Sequence, residues 1–554
     1  MRDEYPRLPS LPLELLVPPE LQPEYPEPAP GPGFAGGVAA AILGGKPAGA
    51  PALVHHEGGR TVSFGELEEA SARLANALVA TGLAVGDRLA IRSPNRPEAV
   101  IAALAAWRVG AIVVPTPPTG RPAELAFLLK DTRARALVAS AAAPTFEDVP
   151  AALEEAPVEI KVSFDGVGGD GWLAWDALLA RGSSRGPDIE IPPDLPALIW
   201  HTGGTTGVPK ACYHTHRRYL LAGRSFGAAV GTGPGSRWAA AAPLGHALGF
   251  LCHTTFTLLH GACAVAIEGF ARPETVLTAI ADHEVDTFVA IAATWARMLE
   301  ALEAEPALDR IASLERGYAM WQSASSGAVY DGWQARGIEL LNNFGSTAFA
   351  NWILIPRPPE PVPRASLGRA TDGYEVRTVD PDGRSVDPLP PGTMGRMAVR
   401  GVSGLTYWDR RAEQERDVVD GWTLVDDLIV IDENGYAEYR GRTDYVISSA
   451  GFKIAPIEVE SVLSRHPAVA EVGVIGSPDA VRQEIVTAFV VLADAYSASE
   501  GVVNELQSFV KANLSPHKYP RRVEFVDALP RDPVGKVQPR ILKQWAEERA
   551  AAPS

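Results

Sequence analysis

The sequence predicts an α/β fold with a large N-terminal domain and a small α+β domain at its C-terminus. From residue 63 onward, helical patterns alternate with short apolar runs that are typical of strands buried on both faces of a parallel sheet. After Asp444 the chain again alternates helix and strand patterns over about a hundred residues, the size of a small domain.

The alternation begins with an amphipathic helix in the segment SFGELEEASARLANALVATGL. Ser63 and Glu66 have the spacing of a capping box, and Leu67, Leu74 and Leu78 recur on one helical face. The segments DRLAIRSP, NRPEAVIAALAAWRVG and AIVVPTPP then follow as strand, helix and strand, which predicts a βαβ unit. Similar strand patterns occupy residues 197–202, 238–244, 262–268 and 287–294.

Residues 366–440 have a different pattern, with short alternating strands separated by Asp-Gly and Asn-Gly turns. This pattern predicts antiparallel hairpins or a small barrel. Residues 1–49 are predicted to form an extended N-terminal arm, because their first part is acidic and rich in proline. The predicted domains are therefore residues 50–443 and residues 444–554.

Composition restricts the classes of function. The chain has 554 residues, is 46% hydrophobic and carries a formal charge of −17, which argues against general binding to nucleic acid or to anionic membranes. No membrane span and no signal peptide are predicted. The three cysteines match no zinc motif, so we expect buried free thiols in a reducing cytoplasm.

The strongest local signal is the string HTGGTTGVPKA at residues 201–211, which follows an apolar strand pattern. Its glycines leave backbone N–H groups free to approach a polyphosphate. The hydroxyls of Thr202, Thr205 and Thr206 can donate to phosphate oxygens, and Lys210 can neutralise charge. The string is not a Walker A loop. The alternative interpretation is a flexible surface loop.

This string resembles the phosphate loop of the adenylate-forming superfamily, which includes acyl- and aryl-CoA ligases, luciferases and the adenylation domains of peptide synthetases. The resemblance covers residues 50–545 and is nearest to benzoate and aminobenzoate ligases. It implies two parallel-sheet α/β subdomains plus a small β-barrel, followed by a mobile C-terminal domain. It also assigns Gly203, Gly204 and Gly207 to the nucleotide, although Gly203 stands where the family usually has serine.

The segment PLGHALGF at residues 243–250 resembles the family's gate to the acyl pocket. The resemblance places His246 beside the acyl group with a catalytic role. The alternative, for a histidine considered alone, is a satisfied side chain in the core. It also assigns Ala293, Ser326 and Gly327 to the pocket. Because these segments are rich in small residues, they favour a bulky apolar or aromatic acid.

The segment NNFGSTAF at residues 342–349 resembles the family's aromatic-Gly-x-Thr-Glu motif. The resemblance assigns Phe344, Gly345, Ser346 and Thr347 to the nucleotide, with Thr347 at the α-phosphate. Ala348 replaces the acidic residue that binds magnesium in the family. A methyl group supplies none of the oxygen ligands that this ion requires.

The remaining motifs follow in the family's order. Residues 420–444 resemble the ribose-binding segment, which assigns Asp427 and Arg442 to the nucleotide and makes Asp444 the hinge of the C-terminal domain. The next motif assigns Gly451, Phe452 and Lys453 to coenzyme A. The segment LPRDPVGKVQPRIL contains Lys536, which resembles the family's catalytic lysine that stabilises charge at the α-phosphate.

The resemblance implies a cytoplasmic acyl-CoA ligase that uses ATP, coenzyme A and Mg²⁺ and passes through an acyl-AMP intermediate. Because Ala348 and Gly203 remove two family ligands, a second hypothesis stays open. The enzyme would then perform only thioester formation, on acyl-AMP supplied by a partner ligase. A third hypothesis is a non-catalytic protein that binds acyl-AMP, although the hinge and Lys536 would have no use in it.

Overall fold

The computed structural model describes residues 16–17, 19–23, 25, 37–142, 145–166, 169–202, 209–268, 272–320, 327–357, 362–363, 366–381, 385–449, 452–479, 482–531 and 537–551. Within these ranges the chain forms two seven-stranded sheets, an eight-stranded sheet and a five-stranded sheet. The predicted α/β class is confirmed.

The first fourteen strands build the two seven-stranded sheets, in which almost all neighbours are parallel. They are β1 (Pro51–His55), β2 (Arg60–Ser63), β3 (Arg88–Arg92), β4 (Ile112–Thr116), β5 (Ala136–Ser140), β6 (Ile160–Phe164), β7 (Leu173–Ala174), β8 (Pro196–Thr202), β9 (Lys210–Thr215), β10 (Arg237–Ala240), β11 (Cys263–Ala266), β12 (Thr287–Ile291), β13 (Arg316–Met320) and β14 (Glu339–Asn342).

One sheet has the order β7-β6-β5-β3-β4-β8-β9, and the other has the order β14-β13-β12-β10-β11-β1-β2. The antiparallel neighbours are β9 beside β8 and β2 beside β1. These sheets are accompanied by the helices α1 (Gly37–Leu43), α2 (Phe64–Ala80), α3 (Pro97–Val109), α4 (Pro122–Asp131), α5 (Val149–Glu155), α6 (Trp175–Arg181), α7 (His216–Val230), α8 (Ala247–Cys252), α9 (Pro273–Asp282), α10 (Ala292–Ala304) and α11 (Gly327–Gln334).

The predicted start of α2 is confirmed. The Ser63 hydroxyl accepts from the Glu66 backbone N–H at 3.2 Å, and the Ser63 backbone N–H donates to the Glu66 carboxylate at 2.7 Å, which completes the capping box. The predicted strand at 287–294 is too long, because β12 ends at Ile291 and Ala292 already begins α10.

The extended arm predicted for residues 1–49 is wrong for its last part. Residues 37–43 form α1, whose Val38 and Ile42 are fully buried in the main core. The Val38 backbone N–H donates to His216 Nδ1 at 3.1 Å. A short, alanine-rich helix beginning at a glycine has no strong start signal, so its burial against α3 and α7 is decided by tertiary contacts.

An aromatic cluster holds β8 in the core. Trp200 of β8 lies within about 6 Å, centroid to centroid, of the rings of Tyr219 and Phe250. Trp107 of α3 also contacts these two rings, and its indole N–H donates to the Ala197 carbonyl at 2.8 Å. The strand that leads into the predicted phosphate loop is therefore fixed by packing from three helices.

The third sheet is antiparallel, as the sequence predicts. Its strands are β15 (Phe344–Ser346), β16 (Asn351–Ile355), β17 (Ser366–Ala370), β18 (Tyr374–Val379), β19 (Met394–Gly401), β20 (Val418–Val419), β21 (Trp422–Ile431) and β22 (Ala437–Arg442). The order is β15-β16-β17-β22-β21-β19-β18, with β20 beside β21 and α12 (Arg411–Asp417) before it. Among the described strands, β15 and β18 do not pair, so closure into the predicted barrel is not observed there.

The last part of the chain has the predicted α+β pattern. It contains β23 (Ile447–Ser449), β24 (Phe452–Ile454), β25 (Val469–Asp479), β26 (Gln483–Leu492), β27 (Arg522–Phe525), α13 (Pro456–Leu463), α14 (Glu500–Asn513) and α15 (Pro539–Ala551). The sheet order is β24-β23-β26-β25, and β27 lies parallel to β26. A separate apolar cluster, distinct from those of the parallel sheets, forms its core.

The three cysteines are buried free thiols, as the sequence predicts. Burial raises the pKa of Cys212 to about 12 and that of Cys263 to about 11. In the described residues, every helix is too short or too polar to cross a membrane.

Candidate nucleotide and acyl site

The predicted phosphate loop joins β8 to β9. Thr202 is the last residue of β8 and pairs with Lys210, the first residue of β9, so the hairpin brings the two ends of the loop together. The Lys210 ammonium lies 5.9 Å from the centroid of the Tyr407 ring. The loop residues themselves, and the Thr202 side chain, lie outside the described residues: Gly203, Gly204, Thr205, Thr206 and Gly207.

A buried ion-pair network anchors the end of β8. Nε2 of His201 lies 3.0 Å from the carboxylate of Asp131, and the Arg410 guanidinium contacts the other oxygen of the same carboxylate. Burial of Asp131 opposes its ionisation, but the hydrogen bonds and charges of His201 and Arg410 outweigh it and lower the pKa of Asp131. The strand before the phosphate loop is thereby attached to α4 and to the segment before α12.

A second histidine connects this hairpin to the Phe344–Thr347 motif. Nε2 of His214, on β9, donates to the backbone carbonyl of Thr347 at 2.7 Å. His214 is fully buried, and burial lowers the pKa of its imidazole to about 4, so the ring is neutral near pH 7. The donor role fixes the Nε2–H tautomer. The residue assigned to the α-phosphate is therefore positioned from the phosphate-loop strand.

The motif around Phe344 forms a tight hairpin between β15 and β16. A Cβ at Gly345 would lie 2.4 Å from Cδ1 of Trp352 and 2.7 Å from the Asn351 carbonyl oxygen, so this position requires glycine. The Ser346 hydroxyl accepts from the Ala348 backbone N–H at 3.1 Å. The close packing accounts for the Gly of the motif without reference to any ligand.

The residue at position 348 does not fit a magnesium site. Ala348 is buried and offers no oxygen ligand. In the described part of the chain, one group of three His, Asp or Glu ligands could hold a metal, namely His55, Glu57 and Glu268, and it belongs to none of the motifs. Arg96 already binds Glu268 there, at 2.5 Å. No chemical step is therefore assigned to a metal.

The predicted ribose residues face each other across two paired strands. Asp427 of β21 is in register with Arg442 of β22, and Nη1 of Arg442 lies 3.6 Å from the Asp427 carboxylate. Nη2 of Arg442 is also 3.3 Å from the Asp444 carboxylate. Burial opposes the charge of Arg442, but Asp427 and Asp444 raise its pKa. The arrangement brings the predicted ribose carboxylate and the predicted hinge residue onto one guanidinium.

The predicted residues of the C-terminal domain are described only in part. Phe452 and Lys453 pair with Ser449 and Ser448 in the β23–β24 hairpin, but their side chains lie outside the described residues, as does Gly451. Lys536 also lies outside them. The segment that contains Lys536 is closed by a bridge between Arg531 and Val537, and Arg531 forms an ion pair with Glu471 at 3.0 Å.

The predicted acyl residues follow neighbouring strands of one parallel sheet. His246 comes after β10, Ala293 after β12 and Gly327 after β13, while Ser326 lies outside the described residues. His246 is exposed and caps α8, since its Nδ1 accepts from the Leu248 backbone N–H at 3.2 Å, so the core-histidine alternative is wrong. In parallel sheets, ligands bind at the carboxyl edge of the strands.

Sequence reasoning did not identify His214, nor the network of His201, Asp131 and Arg410. Their partners are separated by 133, 70 and 279 residues along the chain. A local motif cannot report such contacts. The one feature of the sequence that could have pointed to His201 and His214 is that both lie close to the glycine-rich loop.

Residues 41–407 match the family model of AMP-binding enzymes, and residues 458–536 match that of the AMP-binding enzyme C-terminal domain. The chain therefore belongs to the AMP-binding enzyme family. Within it, the chain is one of the acyl-CoA synthetases, which are AMP-forming acid–thiol ligases.

Among its relatives is the mitochondrial acyl-coenzyme A synthetase ACSM2 of Rattus norvegicus, 31% identical over 498 residues, or 87% of this chain and 85% of the relative. Among similar solved structures, the anthranilate CoA ligase AuaEII in complex with anthranoyl-AMP has a TM-score of 0.83 and 25% identity, covering 93% of this chain and 98% of that one. A benzoate CoA ligase from Burkholderia xenovorans LB400 has a TM-score of 0.79 and 26% identity, covering 92% and 99%.

The low pKa of His214 predicts a dependence of stability on pH. Its folded-state pKa of about 4 lies below the ordinary value of 6.5, so the unfolded chain binds more protons between these values. We expect the free energy of unfolding to fall as the pH drops from 6.5 towards 4, and to fall less steeply in His214→Gln. Urea denaturation of both proteins from pH 7.5 to pH 5 measures this. Equal slopes in the two proteins would contradict it.

The hydrogen bond to Thr347 predicts a difference between two substitutions of His214. Gln can still donate to the Thr347 carbonyl, whereas Phe leaves that carbonyl with only the weak Cys212 thiol as a donor, at a cost of about 1–3 kcal/mol. We expect His214→Phe to raise KM for ATP about tenfold or more, and His214→Gln to raise it much less. Steady-state kinetics of the two variants at pH 7.5 measures this. A Phe variant with the wild-type KM for ATP would show that the bond does not position the nucleotide site.

Proposed function

We propose that the chain is a complete AMP-forming acyl-CoA ligase whose substrate is a bulky hydrophobic or aromatic carboxylic acid. The observation that carries this proposal is the hydrogen bond between His214 and Thr347, because it joins the phosphate-loop hairpin to the α-phosphate motif in one rigid unit. A site organised in this way suits a nucleotide that is held during a chemical step.

The residues at the carboxyl edge of β12 and β13 support the proposal of a bulky acid. Ala293 and Gly327 have small side chains, which leave volume for a large acyl group. The structurally similar proteins named above act on anthranilate and benzoate, both aromatic acids. An aromatic acid is therefore the first class to test.

In the proposed reaction, a carboxylate oxygen attacks the α-phosphorus of ATP, an O–P bond forms, and pyrophosphate leaves. Lys210, Thr347 and Lys536 would hold the phosphate charge that develops in this step. The thiolate of coenzyme A then attacks the acyl carbon, and AMP leaves with the former carboxylate oxygen. Asp427 and Arg442 would retain the ribose during both steps, while rotation about Asp444 exchanges the faces of residues 444–554.

A second candidate function rests on Ala348. Because the family's magnesium-binding carboxylate is missing, adenylation is the step most affected. Thioester formation from acyl-AMP depends less on the metal. The alternative enzyme would accept acyl-AMP from a partner ligase and catalyse only the second step.

We also propose that the enzyme works in a reducing compartment such as the cytoplasm, because its buried cysteines are free thiols. The mammalian relative named above is mitochondrial.

The two candidate functions are separated by assaying the half-reactions individually. The purified protein is incubated with ATP, Mg²⁺ and a panel of aryl and bulky alicyclic acids, and exchange of labelled pyrophosphate into ATP is followed. In parallel, synthetic acyl-AMPs and coenzyme A are tested for thioester formation. Exchange with one acid supports the complete ligase. Thioester formation without exchange supports the alternative, and neither activity would refute both.

Substitution of Ala348 tests the explanation based on the missing carboxylate. We expect Ala348→Glu to raise pyrophosphate exchange at least severalfold and to strengthen its dependence on Mg²⁺, because it restores an oxygen ligand. Ala348→Gln is the matched control, with a similar volume and no charge. Lys536→Ala should abolish exchange and leave much of the thioester step. Equal exchange in the Glu and Gln variants would contradict the explanation.

A further inference from the structure

The side chain of Asn343 is a buried amide without a partner. Asn343 lies between the end of β14 and the start of β15 and is 3% exposed. Neither its Oδ1 nor its Nδ2 has a hydrogen-bond partner in the part of the chain that the structure describes. An unpaired buried polar group destabilises the folded state, so each one calls for an explanation, such as a ligand that supplies the missing partner.

The neighbouring asparagines use their amide oxygens within the hairpin. The amide oxygen of Asn342 accepts from the Asn343 backbone N–H at 3.0 Å, and that of Asn351 accepts from the Trp352 backbone N–H at 2.8 Å, although Nδ2 of Asn351 is itself unpaired in the described residues. Asn343 differs from both in that its amide oxygen and its amide nitrogen are each without a partner in the described residues. Its whole amide is therefore left for another molecule.

The position of Asn343 associates it with the acyl group. The strands β10, β12, β13 and β14 are adjacent and parallel, and the first three are followed by His246, Ala293 and Gly327, the candidate acyl residues. Asn343 follows the fourth. The phosphate loop belongs to the other parallel sheet, and the ribose pair belongs to the antiparallel sheet. The substrate that these candidate residues would bind, at the carboxyl edge of the four strands, is the acid. The amide of Asn343 is therefore in position to contact the acid and not the phosphates.

The surroundings of β14 are apolar on both faces. Leu341 of β14 belongs to the same apolar cluster as Tyr318 of β13 and Trp238 of β10, and Leu340 belongs to a second apolar cluster. Asn343 is the first residue after this strand. Its buried amide therefore lies at the end of a strand that is otherwise packed by large apolar side chains.

We propose that Asn343 is a specificity-determining residue that binds a hydroxyl or amino substituent on the bulky body of the acid. A primary amide offers a donor and an acceptor, and these substituents can satisfy both. This proposal rests on the proposed function and narrows it from an apolar or aromatic acid to one that carries a hydrogen-bonding group.

The expected selectivity follows from the cost of leaving the amide unpaired. A pocket that hydrogen-bonds a substrate group rejects the analogue without that group by factors of roughly 10⁴–10⁵, whereas one methylene in an apolar pocket changes selectivity by roughly 10–200-fold. An acid that lacks the substituent should therefore be activated far less efficiently by the wild type. Asn343→Leu has a similar volume and no polar atom, so it should reverse much of this preference.

The test measures binding of non-hydrolysable acyl-sulfamoyl adenosines in pairs, benzoyl against its hydroxy- and amino-substituted forms, by calorimetry. We expect the wild type to bind at least one substituted analogue more than tenfold tighter than benzoyl. We expect Asn343→Leu to bind that analogue with at least tenfold lower affinity than the wild type, and to bind the benzoyl analogue at least as tightly as the wild type. The control Asn513→Leu, on the exposed end of α14, should change neither.

Binding of AMP alone shows whether the Asn343 amide contacts the adenine base instead of the acid. An equal loss of AMP affinity in Asn343→Leu would show that the amide binds the nucleotide and would overturn the proposal. Equal affinity of the wild type for all analogues, unchanged in the variant, would also overturn it and would leave the ligase function standing. If no analogue and no AMP bound to the wild type, the proposed function itself would fail.

A second variant covers the case in which Asn343→Leu does not fold. Asn343→Ala removes both the donor and the acceptor without adding an apolar chain, so it should weaken the binding of every substituted analogue that the amide contacts. Thermal unfolding of each variant is recorded first. An Ala variant with the full wild-type ranking of analogues would overturn the proposal.

Discussion

The hydrogen bond from Nε2 of His214 to the Thr347 carbonyl is the contact on which the rest of the site depends. It connects β9, in one parallel sheet, to the hairpin that begins the antiparallel sheet. Because the imidazole is fully buried, the bond is shielded from water on the His214 side, and its loss would leave the Thr347 carbonyl with only the weak Cys212 thiol as a donor in the described residues. The aromatic packing around Trp200 holds β8, the other strand of the same hairpin. The phosphate loop is thus supported at both of its ends.

The parallel sheets impose a second constraint. Because neighbouring strands run in one direction, the residues that follow them meet at a common edge, even when they are far apart in sequence. His246, Ala293, Gly327 and Asn343 each follow one of four adjacent strands in this way. The apolar faces of those strands form the core, so chemistry is left to the residues that come immediately after each strand.

The sequence was sufficient for the fold class, the capping box of α2 and the order of the motifs, because these depend on local patterns. It did not predict α1, whose helix is stabilised by burial and not by its own start signal. It also did not predict the partners of His201 and His214, which lie on other elements. The unpaired amide of Asn343 could not be recognised either, since a missing partner is visible only when every neighbour is placed.

In the proposed reaction, the carboxylate of the substrate attacks the α-phosphorus of ATP. The most direct test uses an aromatic acid with ¹⁸O in its carboxyl group, together with ATP and coenzyme A, and analyses the nucleotide product by mass spectrometry. We predict AMP that contains one ¹⁸O atom, because the attacking oxygen leaves with the phosphoryl group. Unlabelled AMP, or ADP with the label in inorganic phosphate, would contradict it.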